Sequence, residues 1–271
     1  MGIPRKGQGK TQNVQRQLNK NTTMNTYTKL QLHEWANKYE NILYFMVDPI
    51  IIPRSFMPDK PHEDWSVKET QNVEIMAVIA SWLAYGNRDS ILKACFAAKK
   101  LLGDSPVDNL KEIALRYAHC EDVFYRFYKY SDLSALCERL YFIFEDYVTF
   151  DCYLWCRENT PLQSLIYIFQ GIKGFPKDES SACKRLNLLL RWMVRTDSKV
   201  DIGIWGSVSP DELLIPLDTH AHRIALELGL TKRRQCDMRT TIEITEALKD
   251  VFPKDPARGD FALFGYGIHN K

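Results

Sequence analysis

The sequence predicts an all-α fold, and three observations carry that expectation. Apolar residues recur at i, i+3, i+4 and i+7 through several long windows. Those windows open on Ser, Asp or Asn and close on Gly or Pro, the residue types that start and stop helices. No sustained alternation of period two and no internal repeat competes with them. A chain of 271 residues can bury a substantial core as one large domain or as two lobes. Its 45% hydrophobic and 26% charged residues are ordinary for a soluble globular protein.

Residues 1–26 are polar and rich in Gln, Asn, Thr, Gly and Lys, so a disordered basic tail is expected there, with the folded domain over 27–271. The tail is either a loose tether for an anionic partner or a passive extension, and the passive reading is preferred. It holds no hydrophobic signal core, and no run in the chain is long enough to span a membrane. An aromatic-rich helix is predicted over 30–45. Asp48-Pro49 and Pro53 should break it, leaving Ile50, Ile51 and Ile52 as an extended apolar connector. Residues 66–85 turn helical again, with Ile75, Val78, Ile79 and Leu83 inward and Ser66 and Glu69 at capping-box spacing. Glu74 in this window is either buried near a cleft or a surface residue of the helix start, the second being preferred.

Tyr85-Gly86-Asn87-Arg88 interrupts two helical patterns, and the next helix should cover 89–102 and stop at Gly103. Residues 107–172 hold further helices, with Leu133, Leu136, Leu140 and Ile143 on one stripe. These, with Tyr125, Phe127 and Tyr128, are read as core in preference to a base-stacking platform.

The stretch 181–230 carries the residues that bear chemistry. Over 182–195 there is no Gly or Pro, and Leu186, Leu189, Leu190 and Met193 form one apolar face. Lys184, Arg191 and Arg195 stand at i, i+7 and i+11, within about 20° of one line on another face. They are either a solvated basic face or a stripe facing an anion, with Lys184 at its open end. At Pro216-Leu217-Asp218-Thr219 a second helix begins, with Ile224, Ala225 and Leu228 buried and Gly229 as its stop. Asp218 is placed to be its N-cap. It either does that alone or, as a carboxylate that backbone N–H groups and the helix dipole favour as the anion, also faces the lysine. Trp192 and Trp205 are read as packing residues, Trp205 also as a possible border of a pocket.

Residues 215–230, IPLDTHAHRIALELGL, resemble the V-D-T-H-hydrophobic-x-R-V segment of the helix–hairpin–helix DNA glycosylases, the endonuclease III group. Residues 245–253, TEALKDVFP, and 260–267, DFALFGYG, resemble the two helices that follow the catalytic aspartate in that group. There a lysine opens the helix after the hairpin and an aspartate caps a later one, and Lys184 and Asp218 occupy those places. Two features depart from the pattern. The hairpin glycines of L-P-G-V-G-x-K are missing from residues 175–183, and 34 residues separate Lys184 from Asp218. That spacing is closer to the archaeal 8-oxoguanine glycosylase branch. The whole chain also resembles a bacterial family catalogued as a domain of unknown function, on SACKRLNLLLRWMVR, PLDTH and DFALFG.

The resemblance implies a two-lobed helical fold with a central cleft, acting as a monomer on double-stranded DNA that contains a damaged base. It implies a glycosylase and abasic-site lyase, most nearly for an oxidised purine such as 8-oxoguanine, with Lys184 and Asp218 catalytic. The alternative is a monofunctional or inactive nucleic-acid-binding helical protein, or a helical scaffold in which both residues are structural. Arg185, Arg191, Arg195, Arg223, Lys232, Arg233 and Arg234 become candidates for phosphate contacts. Tyr85, Asn87, Arg88 and Trp205 become candidates for the base pocket or wedge. For Asn87 and Arg88 a simple helix–helix turn is an equal alternative, as is a solvated loop for 232–234.

The net charge of +2 hides an asymmetry that bears on this reading. Residues 1–30 carry six basic residues and no acid, so the remainder holds 30 basic against 34 acidic residues, a net −4. A uniformly basic nucleic-acid binder is excluded, and any DNA surface must be a local patch. The seven cysteines are scattered without a C-x-x-C pair, which points to reduced thiols in a cytoplasm, and the resemblance implies association with the nucleoid there. No metal is expected: His220 and His222 lie on different faces of one helix, Cys152 and Cys156 have no partners nearby, and the four-cysteine cluster motif of many endonuclease III relatives is missing. No cofactor is implied.

Overall fold

The computed structural model describes residues 24–269, so the tail expected over 1–26 lies outside the described residues except at its end. Residues 24–26 are already ordered: Met24 packs against apolar core and the Asn25 side chain caps the first helix, accepting from the Thr28 N–H at 2.8 Å. The described chain is all-α, with twelve α-helices and one small hairpin. In order they are α1 Thr26–Tyr39, α2 Ile51–Arg54, α3 Val67–Leu83, α4 Arg88–Leu102, α5 Pro106–Tyr117, the hairpin β1 Val123–Tyr125 and β2 Tyr128–Lys129, α6 Tyr130–Asp146, α7 Phe150–Trp155, α8 Pro161–Ile168, α9 Lys184–Val194, α10 Thr219–Glu227, α11 Met238–Lys249 and α12 Gly259–His269.

Helix α1 buries Leu32, Ala36 and Tyr39, residues four and three apart on one face. It ends well before 45, where a short 3-10 helix Ile42–Phe45 follows. The connector expected to be extended at 50–52 is helical instead, because Pro53 falls in the first turn of α2, where a missing N–H breaks no helical hydrogen bond. Helix α3 begins with the capping box of Ser66 and Glu69 and has 13 of its 17 residues buried, so it runs through the core instead of lying on it. The helices α2, α4, α5 and α9 pack around it. The stripe Leu133, Leu136, Leu140 and Ile143 of α6 is buried, as its spacing predicts.

Buried apolar side chains fall into two clusters. The larger takes in α3 to α9 and the linker 200–213. The smaller joins α1 to α10, α11 and α12, so the two ends of the described chain meet in one core. Close packing there requires small residues: a Cβ on Gly265 of α12 would run into the Tyr39 ring of α1, and Trp35 stacks on Tyr266 at 3.7 Å.

Candidate active site

Lys184 opens α9 and Asp218 caps α10, and the two side chains meet with Nζ 3.5 Å from Oδ2. Capping and the contact with lysine use different oxygens. Oδ1 of Asp218 accepts the N–H groups of His220 and Ala221, each at 2.9 Å, which leaves Oδ2 to the amine. The two readings of Asp218 therefore hold together. Its side chain is 11% exposed and that of Lys184 39%, so the carboxylate is enclosed while the amine reaches the surface. Helix α9 begins two residues later than its periodicity predicts. Cys183 before it takes a left-handed φ of +47°, and its buried Sγ lies 3.5 Å from the Asp178 and Ser181 carbonyl oxygens. Non-glycine residues hold such a φ only when their surroundings fix it, so Lys184 starts its helix from a locked turn.

The pair lies on a pocket of about 160 Å³ built from five stretches of chain. Asp48 and Pro49 come from the turn before α2, Gly86 and Arg88 from the α3–α4 junction, Lys184, Leu188 and Arg191 from α9, Pro216, Asp218 and His220 from the start of α10, and Asp260, Phe264 and Ile268 from α12. Arg88 lies over the Phe264 ring at 5.1 Å. Three carboxylates and three cations thus line one pocket together with the apolar Ile91, Leu188, Phe264 and Ile268. Burial pushes Asp260 up to about 7, against the pull of the Arg191 guanidinium, and the Asp218 charge adds to the rise. Burial also raises Asp48, opposed by the Ile50 N–H and by Arg191, Arg88 and Lys184.

Several expected site residues lie elsewhere or are turned inward, and the basic stripe of α9 beyond Lys184 is the largest correction. The side chains of Arg191 and Arg195 are 2% and 1% exposed. Arg191 pairs with Asp201 and Asp260, and Arg195 with Asp201, Asp255 and Glu40. A guanidinium buried this deeply must be neutralised from within the fold, so neither can reach a phosphate outside it. Both also lie over Phe261, at 4.5 and 5.1 Å. Trp205 is fully buried away from the pocket, stacks on Phe150 at 5.7 Å and donates from Nε1 to Glu74 at 2.7 Å. Glu74 is itself buried in the middle of α3, not on the surface; it also accepts the Phe150 N–H, and burial raises it to about 8. Asn87 caps α4, accepting from Asp89 and Ser90, and stands outside the pocket lining.

The remaining basic candidates differ in how free they are. Arg185 donates to the Trp82 carbonyl at 3.2 Å and to the Tyr128 hydroxyl. Arg223 pairs with Glu227 and donates to the Gly267 carbonyl, and Arg233 pairs with Asp237. Lys232 and Arg234 are exposed. His220 lines the pocket, whereas His222 Nε2 lies 2.8 Å from the Arg233 carbonyl. The described residues contain no group of three His, Cys, Asp or Glu side chains placed to hold a metal.

Asp48 and Asp260 were not legible as site residues. Asp48 reads as half of a helix-breaking Asp-Pro pair. The only signal for Asp260 is an acid opening an otherwise apolar helix. No curated protein and no solved structure matches the chain. A family model matches residues 48–269, which include every residue of the pocket except Phe45. The chain therefore belongs to the family described as Protein of unknown function (DUF2400).

Proposed function

We propose that the protein is a DNA base-excision glycosylase with abasic-site lyase activity, acting on an oxidised purine through Lys184 and Asp218. The observation that carries the reading is the 3.5 Å contact between an amine at one helix start and a carboxylate already held by two N–H groups at another, on one pocket. The sequence resemblance to helix–hairpin–helix glycosylases, with its 34-residue spacing, supplies the reaction and the preference for a purine. A base must leave the duplex to reach such a pocket. As the N-glycosidic bond lengthens, positive charge grows on the sugar, and the fixed Asp218 anion stabilises it. With one ammonium proton passed to solvent, Lys184 attacks as the neutral amine and Nζ bonds to C1′. The base departs with the electron pair of the broken bond and takes up the excess proton that the new bond leaves on nitrogen. Opening of the sugar ring gives a protonated Schiff base. Loss of a C2′ proton then expels the 3′-phosphate and nicks the strand.

Borohydride trapping tests this directly. The protein is incubated with duplexes carrying 8-oxoguanine, uracil or an abasic site and then reduced. A covalent complex is expected with wild type, absent for Lys184→Gln and reduced for Asp218→Asn, with 8-oxoguanine trapping better than uracil. A folded protein that traps nothing, even at the abasic site, overturns the lyase assignment. Cleavage without trapping, retained in Lys184→Gln, would leave a monofunctional glycosylase built on Asp218.

A further inference from the structure

Between α5 and α6 the chain makes a hairpin that helical periodicity gives no reason to expect. Its two-residue turn is Arg126-Phe127, with Arg126 at a left-handed φ of +53°. Its two flanking tyrosines are buried, but Phe127 is 66% exposed, which corrects the expectation that all three aromatics are core. The exposed ring is not alone. Tyr85, 42% exposed, lies 6.0 Å from it, and the Arg126 guanidinium sits 4.8 Å from the Tyr85 ring and 5.7 Å from the Phe127 ring. Arg126 forms no salt bridge among the described residues.

This tip is fixed at its base by four contacts. The Tyr125 hydroxyl donates to the Tyr85 carbonyl at 2.5 Å, and Lys173 Nζ donates to the Phe127 carbonyl at 2.6 Å. Tyr128 stacks on Trp82 at 4.1 Å, and its hydroxyl accepts from Arg185, the residue after Lys184. Phe127 holds a large apolar ring in water, and Arg126 beside it holds its backbone in a disfavoured region, both unfavourable for the free protein. Rigid mounting of such a ring lowers the ordering cost of a partner that covers it.

Position and chemistry point to the partner. The Arg126 guanidinium packs on Gly86, where a Cβ would overlap it, and Gly86 is part of the pocket wall. The two neighbouring rings and the Arg126 guanidinium therefore stand at the rim of the pocket that holds Lys184 and Asp218. Aromatic faces beside an arginine bind nucleobases by stacking, and an apolar ring between base steps holds open a gap in a duplex.

We propose that the 123–129 hairpin is the nucleic-acid-inserting element of this protein, with Phe127 stacking in the gap beside the pocket and Tyr85 and Arg126 as its support. The proposal rests on the pocket acting on a base in DNA. It is tested on the full chain with a duplex containing a tetrahydrofuran abasic analogue flanked by 2-aminopurine, read by binding titration and by 2-aminopurine emission. Stacking is worth about 1–3 kcal/mol per base, so Phe127→Ala should weaken binding roughly 5- to 150-fold and abolish the emission change. Phe127→Trp should retain both. Wild type binding with an emission change that Phe127→Ala reproduces, at an affinity within twofold, overturns the hairpin's role and leaves the pocket assignment standing. Wild type failing to bind the duplex overturns both.

Discussion

Raising the pH should destabilise this protein in proportion to how firmly Glu74 is enclosed. Glu74 lies within α3, fully buried, with its carboxyl accepting Trp205 Nε1 at 2.7 Å and the Phe150 N–H at 3.0 Å. Those two donors favour the anion, but burial outweighs them and lifts the group from 4.5 to about 8. The folded state therefore keeps a proton that the unfolded chain releases above pH 4.5, and stability falls as the pH climbs from there to about 8. At about 1.4 kcal/mol per pH step the full effect is at most about 5 kcal/mol, and about 4 between pH 5 and 8. That is a large part of the roughly 5–15 kcal/mol that holds a domain folded. Glu74→Gln keeps an acceptor for Trp205 and Phe150 and removes the titration, at a constant cost of about 1–3 kcal/mol for its poorly partnered amide group. Urea denaturation of both proteins at pH 5, 6.5 and 8 should give a steep decline for wild type and a shallower one for the variant. Asp260, pushed up to about 7, tilts both curves alike, so their difference reports Glu74. Parallel curves would show that water or an unseen rearrangement solvates the carboxylate, and would refute the reasoning.

Two further outcomes follow from charged groups on α9 and at the start of α10. Arg195→Met should cost about 3–5 kcal/mol by chemical denaturation, because it leaves the buried Asp201 and Glu40 carboxylates short of a partner. A loss under about 1 kcal/mol would mean that these carboxylates are satisfied without it. Asp218→Ala should lower stability by about 1 kcal/mol through loss of the cap on α10, whereas Asp218→Asn, which can still accept from His220 and Ala221, should lose little. Equal thermal shifts for the two variants would remove capping from the account of this residue.

Local signals in the sequence were reliable where their partners are local. Ser66 and Glu69 form their capping box, Asp218 caps its helix, and Leu186, Leu189, Leu190 and Met193 are buried together on α9. What could not be read depended on distant chain. The line of Lys184, Arg191 and Arg195 is real, but Glu40, 155 residues from Arg195, and Asp260, 69 residues from Arg191, decide that its inner end is an internal ion network. Periodicity sets which residues share a face and is silent on what covers that face. Glu74 failed for the same reason, since its donors are 76 and 131 residues away. Phe127 failed differently: its composition fits a core as well as a surface, and only the hairpin turn separates it from its buried neighbours.

The pocket draws walls from residue 48 and from residue 264, and α12, which supplies the last of them, packs on α1. During synthesis Lys184 leaves the ribosome long before Asp260 and Phe264 do, so a growing chain carries its amine without the enclosure that surrounds it later. The enclosure around Lys184 and Asp218 is complete only when residues 45 to 268 have folded together, so the state of the pocket reports on the assembly of nearly all the described chain.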